Sequence, residues 1–357
     1  MTQAPDDRRP VPGPVVRTSR SRSRLTVSAW SVVAIVALVL SITTAVTIGP
    51  AEIGVLDVWR AVAHHLGFGD GTLAPLQDGI VWQLRMPRVL TAALVGAGLA
   101  LSGAVMQAIT RNPLADPYLL GLSSGASMGA VAVLLLGVGL LLPVAAFLGA
   151  LLALAGTLLL AGRGGRITPT RTVLAGLAVS SLAGAVTSLV IFWTATGDSY
   201  REILSWLLGS LSGSSWLTVG IAAAGFAVAG LPLLLSGRML DAFAFGDTAA
   251  TSLGVNVQAA RLWMLGGVAL LTGAMVSVSG SIGFVGLVLP HTVRLLVGPG
   301  HRALLPLSAL VGGIFLIGAD TIARTAFDPR ELPVGIVTAL VGAPVFAILL
   351  DRKRRMT

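Results

Sequence analysis

No cysteine occurs among the 357 residues. Disulfides, thiolate nucleophiles and Cys-ligated zinc are therefore excluded. Lysine is almost as scarce: the only one, Lys353, stands four residues from the C-terminus. A Walker A loop requires Gly-Lys-Ser/Thr, so the chain cannot be its own P-loop ATPase. Charge is sparse as well, at 11% of residues, where a soluble domain carries about 25%.

What is abundant is apolar. Ala, Val, Leu and their like make up 55% of the chain, and mean hydropathy is +0.89. Many runs reach the roughly 20 residues that span a bilayer as a helix. A β-barrel would alternate apolar and polar at every second residue, and this sequence does not. The reading is an all-α polytopic membrane protein. Ten spans are drawn, over 28–48, 89–109, 118–136, 142–161, 172–193, 216–235, 262–278, 282–297, 304–322 and 334–350. The first is too long for the apolar core of a signal peptide, and no small-residue cleavage site follows it. Residues 1–27 are expected to be a disordered basic tail, 28–350 a single ten-helix bundle, and 351–357 a second basic tail.

The formal charge of +9 is placed against nucleic acid binding. Six Arg against Asp6 and Asp7 in residues 1–24, and four basic residues against Asp351 at the other end, hold seven of the nine net charges. Short basic tails beside apolar spans read as cytoplasmic flanks that meet anionic lipid. With the N-terminus inside and ten spans, 18 of the 24 Lys and Arg residues fall on the cytoplasmic side. An even number of spans keeps both tails there.

Small residues recur at four-residue spacing in three spans. They are Gly96, Ala100, Ala104 and Ala108; Gly176, Ser180, Gly184 and Ser188; and Gly335, Ala339, Ala343 and Ala347. Such stripes let helices approach closely. The eighth span is short and broken by Gly283, Gly286 and Pro290, which lipid tolerates only where protein surrounds the segment. Leu101-Ser-Gly-Ala-Val-Met faintly echoes Leu271-Thr-Gly-Ala-Met-Val in an oppositely directed span, as inverted repeats do.

Polar residues mark the joints. Arg85, Arg88 and Arg324 fall at span ends on one side, where a planar guanidinium fork suits carboxylates and snorkelling is the alternative. Met86-Pro87 suggests a fixed turn where the second span begins. Asp320 is the one acid inside a drawn span, and its spacing predicts an i,i+4 pair with Arg324. No buried acidic relay of the kind an ion-coupled carrier needs is visible. On the opposite side, residues 237–261 form the largest loop. It reads as two short helices, 239–245 and 248–253, with Asp247 as the N-cap of the second and Gly246 and Gly254 as stops. Met239, Leu240, Phe243, Phe245 and Leu253 give it an apolar face for a partner. His64 and His65 sit in an amphipathic segment and read as a solvated face before a metal or haem contact. His291 and His301 flank the broken span and read as packing.

In combination these residues resemble a known family, the permease subunits of bacterial ABC importers for ferric siderophores, haem and cobalamin. The resemblance runs from Leu25 to Arg352 through RMPRVL (85–90), SGAVMQ (102–107), NPLADPYLLG (112–121), LGVNV (253–257), GFVGLVLPH (283–291), ADTIAR (319–324) and ELPVGIVTALVGAPVF (331–346). It implies the type II ABC importer fold with ten transmembrane helices and no catalytic residues, metal or cofactor. Its implied partners are a second permease subunit, identical or paralogous, two cytoplasmic ABC ATPase subunits and an extracytoplasmic substrate-binding protein. The implied setting is the inner membrane of a bacterium, and the implied cargo is first a ferric siderophore, with haem or cobalamin as alternatives.

The resemblance also assigns residues. Arg85, Arg88 and Arg324 match arginines that dock acidic residues of the binding protein. Asp241, Gly246, Asp247, Leu253, Gly254, Val255 and Asn256 lie in the part that matches the ATPase-coupling helices. Asn112 and Leu114 match a cytoplasmic gate. Thr170 matches a second gate position, although Pro169 stands where some members have a hydroxyl residue. The reading of another class is a self-sufficient secondary transporter, and a membrane enzyme lacks any nucleophile–base or metal cluster.

Overall fold

The computed structural model describes residues 20–354, except 50, 52, 69–72, 139, 140, 164, 166, 195, 255, 328 and 329. Residues 1–19 and 355–357 of the two expected tails, and Val255, thus lie outside the described residues. The described chain is helical throughout, without strands. Fourteen helices serve the account below: α1 (Arg20–Thr47), α2 (Val55–His65), α3 (Pro75–Thr110), α4 (Leu122–Leu135), α5 (Leu142–Gly162), α6 (Pro169–Thr194), α7 (Gly197–Leu207), α8 (Trp216–Leu235), α9 (Gly237–Ala244), α10 (Asp247–Ser252), α11 (Val257–Ser279), α12 (Val285–Val297), α13 (His301–Thr325) and α14 (Val334–Arg354).

Seven of these, α1, α3, α5, α6, α8, α11 and α13, are long and apolar enough to cross a bilayer. Three shorter apolar helices, α4, α12 and the apolar part of α14, complete the ten predicted spans. Helix extends past the drawn boundaries at both ends of the bundle. α1 begins at Arg20, inside the expected tail, and α14 continues to Arg354.

Burial sorts the bundle into a centre and a periphery. The apolar window of α3 is 78% buried and that of α11 67%, whereas α1 and α6 reach only 17% and 22%. A helix apolar all round belongs either in a core or against lipid. α3, α11 and α13 take the first place, and α1, α6 and α8 keep apolar surface turned outward.

Glycine makes the central crossings possible. A Cβ on Gly96 would overlap the backbone of Gly312 in α13, and one on Gly312 would meet Gly96 and Ala100. One on Gly103 would overlap the backbone of Gly286 in α12. The α3 stripe is therefore a packing seam against α13, and Gly103 beside it makes a second seam against α12. The other stripes behave differently. In α6 only Gly176 is closely covered, by the backbone of Leu119, and Ser188 is exposed. In α14, Ala343 and Ala347 are exposed.

Two prolines shape their helices. The N–H that Pro87 lacks would have bonded the carbonyl four residues back, and its ring crowds that carbonyl. A π-helical turn, Ile80–Arg85, immediately precedes it. Pro232 is likewise preceded by a π turn, Phe226–Gly230. Widening the turn relieves the clash and lets the helix continue. The second span consequently does not begin at a turn around Met86-Pro87, as its sequence suggests. It runs unbroken from Pro75 for 36 residues.

The eighth span starts late, at Val285, after non-helical residues 280–284, and Phe284 adopts a left-handed φ of 68°. Protein compensates the exposed backbone. Gln107 Nε2 donates to the carbonyls of Gly286 (3.3 Å) and Leu287 (3.1 Å). The hydroxyl of Tyr118 donates to the Ile282 carbonyl and accepts from the Ile282 N–H.

Candidate functional site: two polar ends of one helical bundle

The 25 residues from Met86 to Thr110 rise about 37 Å. They separate two polar clusters, one at the Arg85 end of α3 and one at its Arg111 end.

At the first end, Arg85, Arg88, Arg324 and Glu331 line one open cavity of about 700 Å³, with Ser212 and Ser214 on its wall. The three arginines of the sequence reading are thus brought together. Their forks are already occupied by this chain. Arg85 is buried, and its Nη1 donates to the carbonyls of Val46 (2.9 Å) and Thr47 (3.1 Å) while Nη2 donates to Ala51 (3.0 Å). Arg324 donates to the carbonyls of Ile48 and Ala45. The last turn of a helix leaves carbonyls unbonded and carries a partial negative charge. Arg85 and Arg324 together satisfy that end of α1.

Arg88 does something else. Its Nε and Nη2 grip Asp320 at 2.9–3.1 Å, and Nη1 reaches Glu331 at 2.8 Å. The predicted i,i+4 pair between Asp320 and Arg324 is therefore corrected. Asp320 is 2% exposed and turns toward α3, where a planar fork can satisfy both carboxylate oxygens at once. Arg324, on the same helix, turns instead to the α1 carbonyls.

At the opposite end, α9 and α10 form the loop between α8 and α11. Leu240 and Phe243 of α9 are buried, whereas Phe245 and Leu253 are 78% and 68% exposed. Gly246 (φ 95°) and Gly254 (φ 83°) make the stops that glycine permits. Asp247 is not the N-cap expected of it. Gly246 holds that position without a side-chain bond, and the Asp247 carboxylate turns away from the helix start. It accepts from Arg111 Nη2 at 3.2 Å and from Arg261 Nη2 at 3.1 Å. Two guanidinium groups outcompete one backbone N–H for a carboxylate. Asp241 Oδ1 accepts the His301 N–H at 2.8 Å and lies 2.8 Å from His301 Nδ1. It thereby caps the start of α13. Asn256 is the side-chain cap of α11, accepting from the Ala259 N–H.

The residues expected to form a gate occupy the same end. Asn112 follows Arg111, which closes α3 with a left-handed φ of 52°. The Asn112 side chain accepts from the Leu114 N–H at 3.0 Å and fixes the turn that leaves Leu114 exposed. Thr170 is exposed in the first turn of α6, and no hydrogen bond joins it to Asn112 or Leu114. The neighbouring Asp116 caps the short 3-10 turn Pro117–Leu120. Burial pushes its carboxyl up to about 6, against the opposing pull of the Tyr118 N–H.

The profile of the FecCD transport family matches residues 36–352. The chain belongs to the FecCD transport family. An ABC transporter permease of Bacillus subtilis, YvrB, itself without an assigned function, is 44% identical over 89% of this chain and 92% of its own. The cobalamin import permease BtuC of Halobacterium salinarum is 42% identical over 92% and 97%. A solved structure described as an inward-facing conformation of a metal-chelate type ABC transporter superposes with a TM-score of 0.80, at 32% identity over 90% and 98% of the two chains. Relatives named for haemin and Fe(3+)-citrate import match as well. This FecCD protein is a permease of the type II ABC importer family, with the all-helical fold its sequence implied.

Some polar residues of the permease escaped the sequence reading. Glu331 was visible only as a letter in a motif, and Arg111 and Arg261 only as charges on one side. Their partners lie between 14 and 243 residues away. His65 is exposed, as expected of a solvated face, and it has neighbours there. Its ring stacks on Trp82 at 4.2 Å and its Nε2 lies 2.9 Å from Asp78. Among the described residues no cluster of His, Asp or Glu could hold a metal ion.

Proposed function

We propose that this permease forms half of the translocation pathway of an ATP-driven importer of a metal chelate, with a ferric siderophore as the first candidate cargo. The observation that carries the importer reading is the match over nearly the whole chain to proteins named as ABC import permeases. The metal-chelate description of the similar structure and the Fe(3+)-citrate relative favour a ferric chelate. The cobalamin and haemin relatives make those two the competing cargoes.

The parts divide as follows. ATP is hydrolysed by a separate ATPase, because this sequence holds no P-loop. That ATPase meets the 237–261 loop, whose Phe245 and Leu253 offer exposed apolar contact. The excess of basic residues on that side favours the cytoplasm for that loop and both tails. A binding protein docks at the Arg85, Arg88 and Arg324 end, and the exposed small residues along α6 and α14 face a second permease. Asn112, Leu114 and Thr170 form the cytoplasmic gate. A secondary transporter has less support: the one acid inside a predicted span, Asp320, lies near the end of that span and is committed to Arg88.

Transport into proteoliposomes carrying the complete importer, using labelled ferric siderophore, haemin and cobalamin in parallel, tests the cargo. ATP-dependent uptake of ferric siderophore alone is the expected result. Uptake of cobalamin alone moves the assignment to that cargo, and uptake without an ATPase overturns the importer reading.

Docking has its own test. Glu331 holds the outermost nitrogen of Arg88 and is 46% exposed. An acidic docking partner must displace it. Glu331→Gln is expected to tighten binding-protein affinity by up to about fivefold, the scale of one exposed ion pair. The measurement is binding to the permease complex in nanodiscs, and weaker or unchanged binding removes Arg88 from the docking surface.

A further inference from the structure

Two arginines converge on one carboxylate at the α9–α10 end. Asp247, the first residue of α10, accepts from Arg111 and from Arg261. Arg111 ends α3 and stands next to Asn112. Arg261 lies in α11, is 4% exposed, and is held with its guanidinium 5.8 Å from the centre of the Phe243 ring in α9. Its other terminal nitrogen donates to the Ile167 carbonyl at 3.2 Å, three residues before Thr170. One side chain of the two-helix loop is thus bonded directly to the turn carrying Asn112 and Leu114. Through Arg261 it is also bonded to the segment that leads into Thr170.

We infer that Asp247 is a positioning residue that passes displacement of the 237–261 loop to both gate segments, with Arg111 and Arg261 as its two arms. The inference rests on the importer reading above and adds to it the route of coupling. Arg261 is anchored by burial and by the Phe243 ring, so it moves with α9 and α11. Arg111 is half-exposed, and Asp247 is its tether to the loop. When α10 shifts, the turn after α3 follows through Arg111, and the 167–170 segment follows through Arg261. Without the carboxylate the loop moves and the gate segments do not.

The chain's lack of cysteine supplies the test. Leu114→Cys places one thiol in the gate of the complex assembled with its ATPase in nanodiscs. The rate of its reaction with a fluorescent maleimide is read without nucleotide and with ATP plus vanadate. Nucleotide is expected to change that rate by about tenfold, and Arg111→Gln or Asp247→Asn to reduce the change to within about twofold. Arg111→Lys, which keeps the charge, restores it. Co-purification of the ATPase with the Arg111→Gln complex is expected to be unchanged, because Arg111 is a half-exposed surface residue. Loss of that co-purification, or a full nucleotide response in both variants, overturns the relay alone. A nucleotide-insensitive thiol in the unsubstituted background overturns the importer reading, and the relay with it.

Discussion

Replacing Asp320 by alanine is expected to lower the stability of the folded permease by about 3–5 kcal/mol, the usual loss when one partner of a buried ion pair is removed. Asp320 is 2% exposed and takes three contacts from Arg88. Without it a guanidinium lies inside the bundle with only Glu331 at its outer nitrogen. The charge cannot be neutralised by losing a proton, because arginine stays protonated. The penalty belongs to the stranded charge rather than to the pair. The double replacement Asp320→Leu with Arg88→Met should therefore recover most of the loss. Thermal unfolding of the detergent-purified chain measures both. An Asp320→Ala protein as stable as the parent, or a double variant less stable than the single one, rejects this account.

The same pair explains why the sequence is legible for the bundle and less so for its polar ends. Hydropathy needs only local composition, and all ten predicted spans correspond to helices. Boundaries failed where geometry is set at a distance. The helix carrying Arg85 runs back to Pro75 because a π turn accommodates Pro87, and no hydropathy window registers a π turn. The α3 stripe of small residues looks like those of α6 and α14 in the sequence, yet it is covered by α13 and they are partly open. Sequence spacing put Asp320 with Arg324 and made Asp247 a cap. Both carboxylates chose arginines on other helices, since a fork from across a packed interface offers two bonds where a neighbour offers one. Contacts such as Arg88 with Glu331, 243 residues apart, have no local signature. The motifs named candidate site residues, but the bonding partners of those residues became visible only in the fold.

Gly103→Leu should have the second large effect, and it separates packing inside the chain from packing between chains. Any side chain at Gly103 collides with the backbone of Gly286, which cannot rotate away. α3 and α12 must part, and one turn further on Gln107 loses its grip on the Gly286 and Leu287 carbonyls. Overpacking costs about 1–3 kcal/mol and leaving buried polar groups unpaired about as much again. The sum, about 2–6 kcal/mol, reaches at its upper end the entire stability of many folded proteins. The expected outcome is little monodisperse protein on size-exclusion chromatography after detergent extraction. Gly184 in α6 is the contrast. Nothing lies within 4 Å of a Cβ placed there. Gly184→Leu should leave the single chain as stable as the parent, because its side chain enters open space. If α6 faces a second permease, the same substitution lowers the yield of the two-permease assembly while the monomer persists. Equal behaviour of the two variants, in either direction, would remove the distinction drawn between the closed seam of α3 and the open face of α6.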